Sequence, residues 1–212
     1  MPRLVFFDCD STLSAIEGID ELARFRGETV LKEVEAMTRA SMEGGIPLEE
    51  IFAKRLEMIR PTRQEVEEVG QLYIQHVEPE AAVTIARLRA HGWTPIIVSG
   101  GFRQAILPLA AYLGIERVEA VDVFFNADGS YRDFGRDCPT ARAYGKNTVI
   151  AALKQEFHPD DTVMVGDGAS DLETSPDVGL FVGFGRYVVR ERIKAQAGAF
   201  IMGLGELPGI LN

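Results

Sequence analysis

The chain has 212 residues and a formal net charge of −10, with 46% apolar and 25% charged residues; this is the make-up of a soluble globular protein, one domain or a core with a smaller insert. The negative balance argues against nucleic acid or an anionic membrane surface as a partner, and no run approaches the roughly 18 apolar residues of a membrane span. Without an apolar leader or zinc-spaced cysteines (only Cys9 and Cys138 occur, far apart), cytoplasmic residence is the default expectation.

In chain order, Leu4-Val5-Phe6-Phe7 runs straight into Asp8-Cys9-Asp10-Ser11-Thr12. An uninterrupted apolar run bounded by polar residues suits a strand buried on both faces of a parallel sheet. Such a strand delivers Asp8 and Asp10 to its C-terminal end, where open α/β sheets place their ligands. On its own, Asp-x-Asp-Ser-Thr reads equally well as a turn or a helix cap.

From Ser14 to about His76 the pattern is helix after helix. Ile16, Ile19, Leu22, Ala23 and Phe25 mark the first helix, which Gly27 ends, and Val30, Val34 and Met37 mark the second. Pro47 opens a third, with Leu48, Ile51, Phe52, Leu56 and Ile59 on one face. Thr62-Arg63-Gln64-Glu65 has the form of a capping box and starts the fourth. The block reads as a helical insert covering residues 14–76, a lid over the Asp8 end of a core made of residues 1–13 and 77–212.

Strand–helix alternation then resumes. A helix spans Pro79 to Gly92, and Thr94-Pro95-Ile96-Ile97-Val98 is a second buried strand ending in Ser99-Gly100-Gly101. A helix from Phe102 to Gly114 carries Pro108, which suggests a kink. Val121–Phe125 and Tyr131–Phe134, joined through Asp128-Gly129, read as a β-hairpin. Lys146 to Phe157 is helical. Thr162-Val163-Met164-Val165 is the third buried strand, ending in Gly166-Asp167-Gly168-Ala169-Ser170-Asp171. Two more apolar runs, Leu180–Val182 and Phe200–Met202, flank a last helix marked by Val189, Ile193 and Ala197. His76, His91 and His158 fall near helix ends and belong to no motif. The expected fold is α/β: a doubly wound, mostly parallel, Rossmann-like sheet with a helical cap inserted after the first strand.

Strand ends rich in acids, small residues and one lysine suit phosphate monoester hydrolysis. A phosphate dianion repels an anionic nucleophile, by about 4 kcal/mol per unit-charge pair at 4 Å near a surface. A magnesium ion held by carboxylates offsets this, and with so negative a chain it is needed to make the site attractive. Asp8 could then attack phosphorus. Asp10, if the chain curls once the strand ends, could protonate the leaving alkoxide and deprotonate the attacking water. Asp167 would add a metal ligand, while Ser99, the Gly100 amide and Lys146 would meet the phosphoryl oxygens.

Asp8-x-Asp10-x-Thr12, Ser99-Gly100-Gly101, Lys146 and Gly166-Asp167-Gly168-x-x-Asp171 resemble the four motifs of the haloacid dehalogenase-like phosphatases. Longer runs resemble the phosphoserine phosphatase family within them: Asp8 to Leu13, Glu17-Gly18-Ile19-Asp20-Glu21-Leu22-Ala23, Ser99 to Arg103, Gly166 to Leu172, and Val182-Gly183-Phe184-Gly185. The resemblance implies Mg2+-dependent hydrolysis of O-phospho-L-serine, the last step of serine biosynthesis, through an aspartyl-phosphate. It implies Asp8 as nucleophile and Asp10 as acid/base, with magnesium between the Asp8 carboxylate, the Asp10 main-chain carbonyl and Asp167. Ser99, Gly100 and Lys146 would hold the phosphoryl group, with Asp171 supporting metal or lysine from behind. Glu17 would meet the substrate ammonium and Arg55 its carboxylate, with Met42 packing nearby from the cap. Ser170 stands where relatives commonly carry Asn or Thr, and is shorter. Cys9 would pack within the strand.

Blander readings attach to several of these residues. Ser14-Ala15-Ile16-Glu17 is itself a capping-box pattern, Arg55 lies on an amphipathic helix as a solvated charge would, and Lys146 next to Gly145 could merely start a helix. The same core also suits a phosphatase or phosphotransferase of another small phosphomonoester. A signalling receiver domain shares an acidic pair and a lysine, but has no helical insert after its first strand. A homodimer is compatible with all of these readings.

Overall fold

The computed structural model describes residues 2–42 and 48–211, with side chains except at positions 41, 42 and 48–50. The chain opens with β1 (Arg3–Phe7) and continues through α1 (Gly18–Arg24), α2 (Glu28–Met42), α3 (Leu48–Ile59), α4 (Arg63–Gln75) and α5 (Ala81–Ala90). Next come β2 (Trp93–Phe102), α6 (Arg103–Leu113), β3 (Arg117–Val121) and the antiparallel pair β4 (Val123–Phe125) and β5 (Tyr131–Phe134). The remainder is α7 (Gly145–Phe157), β6 (Asp161–Gly166), α8 (Ala169–Leu172), β7 (Leu180–Phe184), α9 (Glu191–Gln196), β8 (Ala199–Ile201) and α10 (Leu207–Ile210).

Six strands form one parallel sheet in the order β3-β2-β1-β6-β7-β8. The chain builds outward from β1 on one side and then returns to build on the other, so the strand order reverses beside β1. Ligands of open α/β sheets bind at such a reversal, beyond the C-terminal strand ends. The period-2 alternation of β1 explains its unbroken apolar run: Leu4 and Phe6 pack with Ile150 and Leu153 of α7, while Val5 and Phe7 enter the core on the opposite face. All four are fully buried, each contributing roughly 1.5–3 kcal/mol.

The chain enters and leaves the α1–α4 segment through paired linkers. Ser14 forms an antiparallel bridge with Val77. Ala15 donates its N–H to the His76 carbonyl at 2.9 Å, and Glu78 donates to that of Leu13 at 2.9 Å. The Ser14 hydroxyl lies 3.1 Å from both the Tyr73 and His76 carbonyls, so the capping role its sequence suggests is not the one it plays. The box at Thr62 does form: Thr62 Oγ1 accepts from the Glu65 N–H at 3.3 Å, and Glu65 Oε2 accepts from the Thr62 N–H at 2.8 Å. The helical segment does not core separately. Leu22, Val34, Leu56 and Val69 belong to the same apolar cluster as Val5, Phe7 and Ile106.

Two expectations need correction. The strand expected over Val121–Phe125 breaks at Asp122: Val121 ends β3, a parallel edge strand not anticipated, and only Val123–Phe125 pairs with β5. The strand expected at Thr94–Val98 runs on to Phe102, its register with β3 shifting between Val98 and Phe102. The expected start of the third helix at Pro47 lies outside the described residues. Among the described residues no helix is long and apolar enough to cross a membrane.

The helical segment meets the sheet layer where α4 crosses α6. A Cβ on Gly70 would sit 3.1 Å from Pro108 Cγ and 3.2 Å from the Ala105 carbonyl. Pro108, inside α6, lacks the N–H its turn would use, and the two helices close over it. Gly70→Leu is therefore expected to overpack this seam by about 1–3 kcal/mol and to lower the thermal midpoint by several degrees. An unchanged midpoint by calorimetry would mean that the seam has slack.

Candidate active site

β1 ends at Phe7, in register with Ile97 of β2 on one side and Val165 of β6 on the other, and β2 runs on past this level to Phe102. Asp8, the next residue, donates its N–H to the Val165 carbonyl at 3.0 Å. Cys9–Leu13 then forms a single wide turn, closed by the Ser14 N–H on the Cys9 carbonyl at 3.1 Å, with Ser11 at φ 49°. Cys9 thus sits in the turn and not in the strand. This curl brings Asp10 back over the strand ends. Its Oδ1 accepts from the Gly18 N–H and from the Tyr73 hydroxyl, each at 2.6 Å.

The free end of β2 approaches the same place. Ser99 Oγ accepts from the Gly101 N–H at 2.9 Å. A Cβ on Gly101 would stand 2.9 Å from Asp10 Oδ2 and 3.2 Å from Ser99 Oγ, so this position needs glycine for the close approach. Gly100 lies between them, half-buried, in the stretch where β2 has lost its register with β3.

Asp167 directly follows β6, and Asp171 lies on α8. Asp8, Asp167 and Asp171 are buried, and each offers a carboxylate oxygen within 4.8 Å of the others. Lys146, from the start of α7, places Nζ 2.9 Å from Asp8 Oδ1 and 2.6 Å from Asp171 Oδ1. Asp171 Oδ2 also accepts from the Gly168 N–H at 3.0 Å. Asp167 accepts from Thr12 Oγ1 at 3.4 Å, and Arg190 Nη1 pairs with its Oδ2.

Burial dominates the electrostatics. It pushes Asp171 up to about 7, helped by Asp8 and opposed by Lys146. Burial and Asp8 likewise push Asp10 up to about 6, against the hydrogen bonds from Tyr73 and Gly18. Asp167 is raised well above the carboxylate range, again by burial, with Arg190 pulling the other way. Burial alone would lower Lys146, but Asp171 and Asp8 outweigh it and hold the ammonium firmly charged. Three hard oxygen donors facing one another with two cations to serve them suit a hard divalent ion of the magnesium type.

A cleft of about 620 Å3 lies beside these groups, lined by Ser11, Glu17, Asp20 and Thr38 on one side and by Val189 and Arg190 on the other. Glu17 precedes α1 without capping it; its Oε1 instead accepts from Ser11 Oγ at 2.6 Å. Burial, then Asp10 and Asp167, raise its pKa well above the ordinary value. Arg55 is buried on α3, not solvated, and donates from Nη1 to Thr38 Oγ1 at 3.1 Å. Thr38 in turn donates to Asp20 Oδ1 at 2.7 Å. Met42 ends α2, and its side chain lies outside the described residues. Ser170 is half-buried on α8 and, among the described residues, takes part in none of the site's hydrogen bonds.

The structure thus brings together Asp8, Asp10, Ser99, Lys146, Asp167 and Asp171. It adds Tyr73, Thr38, Asp20 and Arg190, which the sequence reading did not single out. Asp20 lay within a quoted motif and could have been found there; the other three reach the site through tertiary packing and leave no local signal.

The acids set a pH dependence of stability in the metal-free protein. The folded values of Asp10 and Asp20, about 6, and of Asp171, about 7, lie above an unfolded value of roughly 3.9. The folded state therefore retains protons that the unfolded chain releases. This stabilisation is fully present below the unfolded value and is lost as pH rises through 6 to 7. In chelator, the thermal midpoint should fall between about pH 5 and about pH 8, and magnesium should restore it at the upper end. A midpoint that rises with pH in chelator would contradict this charge balance.

The haloacid dehalogenase-like hydrolase family model matches residues 5–175. The phosphoserine phosphatase of Bos taurus is 39% identical over 210 residues, covering 98% of this chain and 92% of the relative. A solved structure described as a phospho-aspartyl intermediate analogue of phosphoserine phosphatase superposes with a TM-score of 0.87 at 28% identity, covering 99% of this chain and 98% of the other. A substrate-bound phosphoserine phosphatase complex gives a TM-score of 0.85 at 28% identity, covering 100% and 97%. With identity running nearly the length of both chains, this protein belongs to the phosphoserine phosphatase family of the haloacid dehalogenase-like hydrolases.

Proposed function

We propose that this protein is a cytoplasmic phosphatase that hydrolyses O-phospho-L-serine to L-serine and inorganic phosphate through a phosphoryl intermediate on Asp8, with magnesium as its resident cation. Residues 14–76 act as the cap over a core of residues 1–13 and 77–212, a division supported by the paired linkers at Ser14 and Val77. The observation that carries the reading is the arrangement around Asp8: a buried carboxylate whose Oδ1 meets Lys146 and which has Asp167 and Asp171 as neighbours.

In the first step an Asp8 oxygen attacks phosphorus as the bond from phosphorus to the seryl oxygen breaks. Asp10 gives its proton to that departing oxygen. In the second step water attacks the same phosphorus, Asp10 takes its proton, and the bond to Asp8 breaks. A raised pKa, about 6, suits a group that both gives and takes a proton near neutral pH. Tyr73 and the Gly18 amide hold Asp10 in one orientation. Lys146, the Ser99 hydroxyl and the Gly100 amide bind phosphoryl oxygens, and Asp171 fixes Lys146 from behind. Asp8, Asp167 and the Asp10 carbonyl would hold magnesium, which when bound would supply positive charge to offset repulsion between the phosphate and these carboxylates. Glu17, in the cleft wall, balances the substrate ammonium, and Arg55, bonded to the cleft's Thr38, takes its carboxylate; Met42 and Ser170 are the further substrate-binding residues of this reading.

Acid quenching during turnover should trap a phosphoryl adduct on the peptide containing Asp8, and Asp8→Asn should lose both the adduct and nearly all activity. Asp10→Asn should slow turnover by roughly 10²–10⁴-fold. Chelator should abolish phosphate release and magnesium restore it. In a substrate panel, Glu17→Gln and Arg55→Ala should lower kcat/KM for O-phosphoserine by roughly 30- to 1000-fold and affect an aryl phosphate far less. An adduct on another peptide would overturn the mechanism. Equal losses on every substrate would leave a phosphatase acting on another small phosphomonoester.

A further inference from the structure

Arg55 is held in an unusual way for a buried arginine. Its side chain is 5% exposed and carries five N–H donors in a fixed fork. Buried guanidinium groups ordinarily settle on a carboxylate in a two-pronged pair. Acids are close enough to favour its charge, Asp20 first and then Glu17 and Asp10, yet among the described residues none pairs with it directly. Its hydrogen bond goes instead to a neutral hydroxyl, that of Thr38.

The hydroxyl has one hydrogen, and that hydrogen is committed to Asp20 at 2.7 Å. Thr38 Oγ1 must therefore act as acceptor towards Arg55. A threonine inside a helix commonly turns its hydroxyl back to the carbonyl four residues earlier; Thr38 bridges α1 and α3 instead. Threonine has two χ1 choices on a helix, and the hydrogen bonds to Asp20 and from Arg55 select the one that holds this oxygen between α1 and α3. Meanwhile Arg55 Nε is buried and, among the described residues, has no hydrogen-bond partner. An unpaired charged donor in the interior is costly, and an anionic group of a ligand would complete it. The Arg55 cation also stacks over the Phe52 ring at 5.7 Å, and so is restrained from a second side.

We propose that Thr38 is a specificity-determining positioning residue: it orients Arg55 by accepting from Nη1 and, by occupying Asp20, keeps that acid from pairing with the guanidinium, leaving the remaining donors to the substrate carboxylate. This rests on the reading that Arg55 takes the carboxylate of phosphoserine. Without the hydroxyl, Asp20 and Arg55 are free to close on each other, and the donors the substrate needs are consumed.

The test compares kcat/KM for O-phosphoserine with that for phosphoethanolamine, which keeps the phosphate and ammonium but lacks the carboxylate. The readout is the ratio of the two, with saturating magnesium, in wild type, Thr38→Val, Thr38→Ser, Arg55→Ala and the Thr38→Val/Arg55→Ala double variant, each confirmed folded by its melting curve. Arg55→Ala should cut the ratio about 30-fold or more, and Thr38→Val about tenfold, mainly through KM. Thr38→Ser should return to within about threefold of wild type. Adding Thr38→Val to Arg55→Ala should change the ratio no further, because the two act through one contact. If Thr38→Val lowers both substrates alike, or adds its full effect to Arg55→Ala, Thr38 is packing and the inference fails. If Arg55→Ala cuts the ratio and Thr38→Val leaves it intact, Arg55 needs no such support and the inference fails alone. If Arg55→Ala leaves the ratio intact, the carboxylate reading falls, and this inference with it.

Discussion

Asp8, Asp167 and Asp171 are buried with carboxylate oxygens inside 4.8 Å of one another, and the rest of the structure is arranged to tolerate that. Two such charges at 4 Å repel by about 4 kcal/mol even at an effective dielectric of 20. Lys146 answers for Asp8 and Asp171, and Arg190 for Asp167. The acids cannot drift apart, because the backbone pins them. Asp8 is tied to Val165 through its amide, and a Cβ on Gly166 would stand 2.2 Å from Asp171 Cγ. What opposes the repulsion is hydrophobic burial in β1 and β6: Val5, Phe6, Phe7, Val163, Met164 and Val165 are all essentially inaccessible to water. Such electrostatic frustration, held by a rigid apolar frame, is the condition under which a hard cation binds with a large advantage.

The helical segment is tied into this centre at its most sensitive point. Asp10 Oδ1 receives one hydrogen bond from the residue that opens α1 and another from Tyr73 on α4. A Cβ on Gly18 would lie 2.0 Å from the Tyr73 hydroxyl, so the two donors converge only because position 18 is glycine. On the proposed mechanism, the residue that moves the proton and the residues that recognise the substrate share one support. Glu17 immediately precedes Gly18, and Arg55 is joined through Thr38 to Asp20 on the same α1. A change in how α1 sits is then felt at both the ammonium site and the acid/base carboxyl.

Much of this was legible in the sequence, and the unread part has a physical reason. β1, β2 and β6 announce themselves because strands covered on both faces must be apolar throughout. The Thr62 box is a local motif with a local mechanism. β3 went unread because Arg117-Val118-Glu119-Ala120-Val121 is an edge strand, half exposed and alternating, and its last residue looks continuous with the hairpin that follows. Ser14 and Glu17 have the spacing of a capping box, but Ser14 Oγ is drawn to the Tyr73 and His76 carbonyls where the linkers meet, and Glu17 to Ser11. In both cases a tertiary partner outcompetes the local one. Tyr73, Thr38 and Arg190 are read from contacts bridging 63, 17 and 23 residues. No local pattern could have carried them.

The net charge of −10 appears at first to disfavour an anionic substrate. Screening removes most of the difficulty: beyond a Debye length of about 8–10 Å exposed charges hardly act on one another, so the balance that matters is the one at the strand ends. There Lys146 and Arg55 are buried and Arg190 is half-buried. Lys146 is held charged by Asp171 and Asp8, Arg190 sits on Asp167, and Arg55 is kept off its neighbouring acids by a hydroxyl. Lys146 and Arg190 lie directly against their acids, whereas among the described residues Arg55 pairs with none. Lys146 and Arg190 are spent largely on the protein's own carboxylates. Arg55 is the guanidinium whose donors the fold leaves partly unclaimed, and a ligand carboxylate is the anion best shaped to claim them.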